Sequence, residues 1–245
     1  GSVVDWQAAD QSALAALMPT NRRYGFDVCK IIRHLFDTES FIETRPDMGR
    51  AIITGLARVE GRAVAILASD CRHLGGAIDG ESATKAAALY QLAERWRLPV
   101  VSLIDTPGFM VGPESEAGGA PRLMSDLFIA GATLTQPIVA IFLRRAYGLG
   151  AMAMTGGSFE VPRYAVSWPQ GEFGAMGLEG AVHLGFRQEL AEAPDEGARQ
   201  ALYDKLLAEM YDKGRAVEAA SYLEIDAVIQ PEETRAVISR ALVAS

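Results

Sequence analysis

Two apolar runs of strand length dominate the middle of the chain: Val100-Val-Ser-Leu-Ile104 and Pro137-Ile-Val-Ala-Ile-Phe-Leu143. Neither alternates with polar residues, which is the pattern of a strand buried on both faces of a parallel sheet. Each run stops at a turn, Asp105-Thr-Pro-Gly108 after the first and Arg144-Arg-Ala-Tyr-Gly-Leu-Gly-Ala151 after the second. Proline fixes φ and glycine accepts either sign, so Pro107 and Gly108 predict a tight reversal. Ligands of α/β sheets bind beyond the carboxyl ends of such strands. The two turns therefore predict one shared crevice.

Elsewhere the pattern predicts helices over 6–18 and 24–37, the second from Val28, Ile31, Ile32 and Leu35 at helical spacing. A strand at 41–45 and a hairpin of 51–58 with 63–68 follow, joined by the turn at 59–62. Helices are expected at 82–97, stopped by Pro99, at 123–134 and at 152–157; a strand is expected at 164–168. Residues 171–186 read as a turn and a short helix, 196–219 as one long helix and 232–243 as another. Strands first, then helix–strand units, then terminal helices predict a layered α/β domain. We expect a linker with a helix at 3–21 and one domain at 22–245. Leu202, Leu206, Leu207 and Met210 on the long helix are expected to serve assembly beyond the monomer.

Composition narrows the picture. Of 245 residues, 49% are hydrophobic, which excludes a disordered chain, and the net charge of −8 argues against nucleic acid as a partner. No run approaches the roughly 20 apolar residues of a membrane span. Gly1-Ser2 reads as a cloning scar, and the cytoplasm is the expected compartment. The two cysteines and three histidines lack metal-ligand spacing, so no metal is expected. Arg22-Arg23 and Arg144-Arg145 could meet an anion, but read more simply as solvated basic faces.

No Gly-x-Ser-x-Gly elbow, Walker loop or Gly-x-Gly-x-x-Gly after the first strand is present. What remains is glycine at strand ends: 75–76, 108, 112, 118–119, 148, 150 and 156–157. Such turns can present backbone N–H groups to a developing oxyanion. Glycine also simply permits tight turns. The residues alone leave both readings open.

Four stretches carry a resemblance: Leu74-Gly-Gly-Ala-Ile-Asp79, Asp105-Thr-Pro-Gly-Phe-Met-Val-Gly112, Arg144 to Met154, and Ser167 to Val182. With the hairpin at Arg50 to Ala68, they resemble in order and spacing the carboxyltransferase component of biotin-dependent acyl-CoA carboxylases. The similarity runs from about Arg22 to Ile238. It implies a crotonase-like fold of stacked ββα units, and the carboxyl-terminal, biotin-facing half of a two-domain enzyme. Implied partners are an N-terminal-type half that holds acyl-CoA, a biotin carboxylase, a biotin carrier protein and further copies in a homo-oligomer.

The implied reaction uses carboxybiotin, which releases CO2 while its ureido nitrogen takes the α-proton of a CoA thioester. The resemblance places a backbone oxyanion hole at Gly148, Leu149, Gly150 and Ala151, with the N–H groups of Leu149 and Gly150 inward. It places biotin near Gly75, Gly76, Asp105, Thr106, Pro107, Gly108, Phe109, Tyr147 and Met152. Asp105 is expected chiefly to order its turn by accepting backbone hydrogen bonds. Leu149 stands where the commoner family form has glycine, and Met152 where many acetyl- and propionyl-type members carry an acid. Those departures point to a larger or more apolar acyl group. Two rival readings are a biotin-independent decarboxylase or hydratase of the same fold, with Glu114, Glu116 or Glu172 as its acids, and a catalytically silent assembly domain. Cys71 lacks a neighbour that would make it a nucleophile, and Trp168 and Phe173 read as core.

Overall fold

The computed structural model describes residues 5–113, 115 and 118–243. Strands β1 (Ile42–Thr44), β2 (Ile52–Val59) and β3 (Arg62–Ser69) form an antiparallel meander. From β3 the sheet continues in parallel through β4 (Val100–Thr106), β5 (Ile138–Tyr147), β6 (Tyr164–Ser167) and β8 (Ala227–Val228). A short β7 (Glu172–Gly174) pairs with the end of β5. Every residue of β4 is buried, the polar Ser102, Asp105 and Thr106 among them.

Helices cover both faces. On one lie α1 (Val28–Leu35), a 3-10 helix at Gln11–Leu17 and α9 (Thr234–Val243), packed with Val101, Leu103, Val139 and Ile141. On the other lie α2 (Gly80–Trp96), α3 (Ala120–Ala132), α4 (Gly148–Ala153) and α8 (Ala216–Ser221), packed with Val100, Ile104, Ala140 and Phe142. Odd and even positions of β4 and β5 thus feed different clusters, the period of two expected of a strand. Trp168, as expected, is fully buried, and its Nε1 donates to Thr234 Oγ1 at 2.8 Å.

Several elements differ from the sequence pattern for local reasons. Residues 3–21, expected as a linker with a helix, contain the 3-10 helix at Gln11–Leu17 and place Leu14 and Met18 in the cluster beside α1, while most of their other described residues are exposed or half-buried. Helix α1 begins only at Val28, where Asp27 accepts from the Cys29 N–H. Arg97, in the left-handed region at φ 53°, ends α2 before Pro99 is reached. The long helix expected at 196–219 breaks into α7 (Glu196–Lys213) and α8. Gly214 O accepts from the Phe173 N–H at 2.7 Å, and a Cβ on Gly214 would lie 2.7 Å from Phe173 O. The apolar residues of α7 do not form a free assembly face. Leu206 is buried against Val182 of α5 (Leu178–Gly185) and Leu190 of α6 (Arg187–Ala191), with Leu202, Leu207 and Met210 packed around them.

Candidate active site

Strands β4 and β5 are parallel neighbours, in register from Val100 opposite Ile138 to Ile104 opposite Phe142. The register then shifts: β5 advances from Phe142 to Ala146 while β4 advances only from Ile104 to Thr106. Consecutive residues of a regular strand point to opposite faces. At this bulge, Arg144 and Arg145 both reach one carboxylate, that of Asp105. Arg144 donates through Nη2 at 2.8 Å and Nε at 3.3 Å; Arg145 donates through Nε at 2.8 Å, Nη2 at 3.0 Å and its backbone N–H at 3.0 Å.

The Asp105 side chain is fully buried and that of Arg144 is 5% exposed. Burial pushes the Asp105 carboxyl up, but hydrogen bonds from Arg145 and Arg144 outweigh it and hold it below the usual carboxylate range. The solvated basic face expected at Arg144-Arg145 is therefore a buried ion cluster. The expected turn-ordering role of Asp105 runs mainly through guanidinium groups, with one backbone N–H, and the buried carboxylate offers no surface to a ligand.

Around this cluster three glycine loops touch backbone to backbone. Arg145 Nη2 donates to Gly75 O at 2.8 Å, and Thr106 Oγ1 donates to Gly76 O at 2.7 Å while accepting from the Gly108 N–H at 3.1 Å. A Cβ on Gly76 would lie 2.7 Å from Asp105 O; one on Gly150 would lie 2.7 Å from Gly108 Cα. Only glycine permits these approaches. Helix α4 starts at Gly148, four residues earlier than the pattern predicts, with Tyr147 as its N-cap and no side-chain cap. The opening N–H groups of a helix have no acceptor within it, and those of Leu149 and Gly150 fall in this first turn, with Gly150 itself buried. Between the two glycines the Leu149 side chain is 62% exposed.

The structure thus joins Gly75, Gly76, Gly108, Gly150 and Tyr147 around the carboxyl ends of β4 and β5. Pro107 lines the cleft there, while Thr106 is buried beneath it. Phe109 packs beside Phe128 with ring centroids 6.1 Å apart. Met152 faces a different cleft of about 700 Å3, shared with Phe159, Phe173, Ala219 and Tyr222 and bordered by Gly148. Ala151 is buried within α4.

Sequence reasoning left Glu172 as an unpaired acid. It lies on β7, where one oxygen accepts from Tyr147 Oη at 2.8 Å and the other pairs with Arg22 Nη1 at 3.3 Å. Burial, then the neighbouring Glu172 carboxylate, raise the Tyr147 phenol well above its ordinary value. Nothing in spacing foretells this grouping, because its residues are 125 positions apart or join through a three-residue strand. Glu114 and Glu116 lie outside the described residues. Burial pushes the Cys71 thiol up and outweighs the Phe26 N–H that its Sγ accepts at 3.3 Å, so the group stays a thiol. Among the described residues no group of three or more His, Cys, Asp or Glu could hold a metal ion.

Across residues 2–245 the sequence matches the family described as the carboxyl transferase domain. The chain belongs to this family. This carboxyl transferase domain is 33% identical over 236 residues to the biotin-dependent acetyl-/propionyl-coenzyme A carboxylase beta6 subunit of Mycobacterium tuberculosis, covering 96% of this chain and 50% of that protein. It is 31% identical to the methylmalonyl-CoA carboxyltransferase 12S subunit of Propionibacterium freudenreichii, covering 94% of this chain and 43% of that one.

Among solved structures it superimposes on a single-chain, multi-domain long-chain acyl-CoA carboxylase with a TM-score of 0.89 at 48% identity, covering 97% of this chain and 23% of the other. On the hexameric transcarboxylase 12S with methylmalonyl-CoA bound, the TM-score is 0.90 at 29% identity, over 99% of this chain and 46% of the other. The fold is therefore crotonase-like, as expected. This carboxyl transferase domain spans about half the length of the curated relatives it matches.

Proposed function

We propose that the domain, residues 22–245, is the biotin-facing half of an acyl-CoA carboxyltransferase. It works with an N-terminal-type half that holds the CoA thioester, with biotin presented by a carrier protein and carboxylated by a biotin carboxylase, in a homo-oligomer. The observation that carries this reading is the contact of Gly150 with Gly108, which seats an uncapped helix start at the carboxyl ends of two central strands. Carboxybiotin, when bound, supplies the carboxyl group and a ureido nitrogen able to accept a proton. The N–H groups of Leu149 and Gly150 bind the ureido oxygen and favour the negative charge that develops on it. Asp105, Arg144 and Arg145 hold the strand ends that carry those donors. In the Tyr147, Glu172 and Arg22 group both oxygens of Glu172 are engaged, one by Tyr147 Oη and the other by Arg22.

The test is reconstitution. The chain alone should show negligible carboxyl transfer from carboxybiotin to acyl-CoA, and addition of the partner half should restore it. Robust turnover by the isolated chain would refute the half-site reading.

Met152 and the aromatic side of its cleft, Phe159, Phe173 and Tyr222, support an acyl group larger than propionyl as the substrate, with Glu160, Lys213 and Glu224 also lining that cleft. Met152→Asp should lower kcat/KM for a chain of about ten carbons at least roughly tenfold relative to propionyl-CoA, a difference of about 1.4 kcal/mol. Equal losses for both substrates would place the acyl chain elsewhere.

A further inference from the structure

A group of side chains outside the backbone oxyanion site joins the amino-terminal segment to Tyr147. It lines a cleft of about 300 Å3 that also contains Gly75, Pro107 and Arg145. Arg22 makes three of its contacts. Its guanidinium pairs with Glu172 at 3.3 Å and lies 3.8 Å from the centroid of the Tyr211 ring, and its carbonyl accepts from Arg144 Nη1 at 2.9 Å. Tyr24 O accepts from the same Nη1 at 2.8 Å, so the segment is anchored to the arginine that holds Asp105.

Glu172 stands between Arg22 and the turn. Its Oε2 fixes the Tyr147 hydroxyl, and Tyr147 is the residue from which α4 departs. The same β7 continues into Ala175, whose carbonyl would lie 2.7 Å from a Cβ on Gly148. Gly148 itself sits at φ 57°, so the turn is held in a conformation glycine alone adopts easily. Orientation of the donors therefore depends on Tyr147 on one side and on the Gly108 contact on the other.

We infer that Glu172, clamped by Arg22, is a positioning residue that fixes Tyr147 and through it the Gly148–Gly150 turn; this rests on reading that turn as the oxyanion site. An exposed ion pair alone adds little to stability, and Arg22 is half exposed. A merely structural pair would leave turnover unchanged when broken. A displaced donor instead lowers the rate of the chemical step without weakening thioester binding.

The experiment uses the complete carboxyltransferase, assayed with carboxybiotin and acyl-CoA. Glu172→Gln and Arg22→Ala should each lower kcat about tenfold with KM for acyl-CoA unchanged, Arg22→Lys should recover part of the loss, and the double variant should be no slower than the slower single one. Limited trypsin digestion supplies a second readout, because Glu172→Gln frees the Arg22-Arg23 segment and should speed cleavage there. Values of kcat within twofold of wild type, or losses that simply add, overturn the assignment. Absence of biotin-dependent transfer in the wild type would sink the half-site reading instead. The clamp is then judged by trypsin, and unchanged cleavage in Glu172→Gln overturns it.

Discussion

Carboxyl transfer by the reconstituted enzyme should fall about 10²–10³-fold when Gly150 becomes proline, the usual loss for one oxyanion donor. The substitution deletes the N–H and places ring atoms where even a Cβ would lie 2.7 Å from Gly108 Cα and 3.0 Å from the Phe109 nitrogen. Gly150→Ala keeps the donor but drives the same two backbones apart, so it separates the geometric cost from the chemical one. Leu149→Ala, by contrast, trims a side chain that is 62% exposed and should leave turnover close to wild type. The measurement is kcat in the reconstituted enzyme, with folding checked by circular dichroism. A folded Gly150→Pro variant retaining more than about a tenth of wild-type rate would mean that the donors sit elsewhere, with the Leu74 to Asp79 loop as the next place to look.

Asp105→Ala should destabilise the domain by about 3–5 kcal/mol, because it leaves the buried Arg144 and the largely buried Arg145 without their counter-charge. In a chain of this size that corresponds to a melting temperature lower by roughly 6–20 °C. Asp105→Asn keeps the shape and supplies the pH test. The carboxyl ionises below its ordinary range in the folded state, so its contribution is complete above that range. The contribution disappears as pH falls through the folded value. Wild-type stability should therefore drop along an acid limb that Asp105→Asn lacks. Parallel acid profiles for the two proteins would show that the ion cluster does not set the stability of this end of the sheet.

The strands that build the site were legible because they are buried on both faces: Val100 to Ile104 and Ile138 to Leu143 leave no polar residue to confuse with a turn, apart from Ser102. The glycine turns after them were legible for a related reason, since backbone contact there excludes a Cβ. The last four residues of β5 were not. Arg144-Arg145 has the composition of a solvated turn, and only the bulge brings a buried carboxylate opposite both residues. Strands β7 and β8 span three and two residues, too few to establish a period of two. The break after Lys213 escaped because propensity favours continuing the helix, whereas the Phe173 to Gly214 hydrogen bond ends it. Glu172 acquires its role through partners from two other stretches of chain, at Arg22 and at Tyr147, and no local pattern encodes that.

The bulge also determines where the chain can change length. Between Phe142 and Ala146 each residue has an assigned direction, and Arg144 and Arg145 meet Asp105 only with the extra backbone in place. One deletion in that span would turn an arginine toward the opposite cluster and strand its charge among Val and Ile side chains. Insertions there would push Gly150 off Gly108. The connection at 192–195 between α6 and α7 is largely exposed and can vary freely. Among homologous sequences, gaps should therefore collect in the helical connections and be missing from five residues of one strand, whatever substitutions those residues accept.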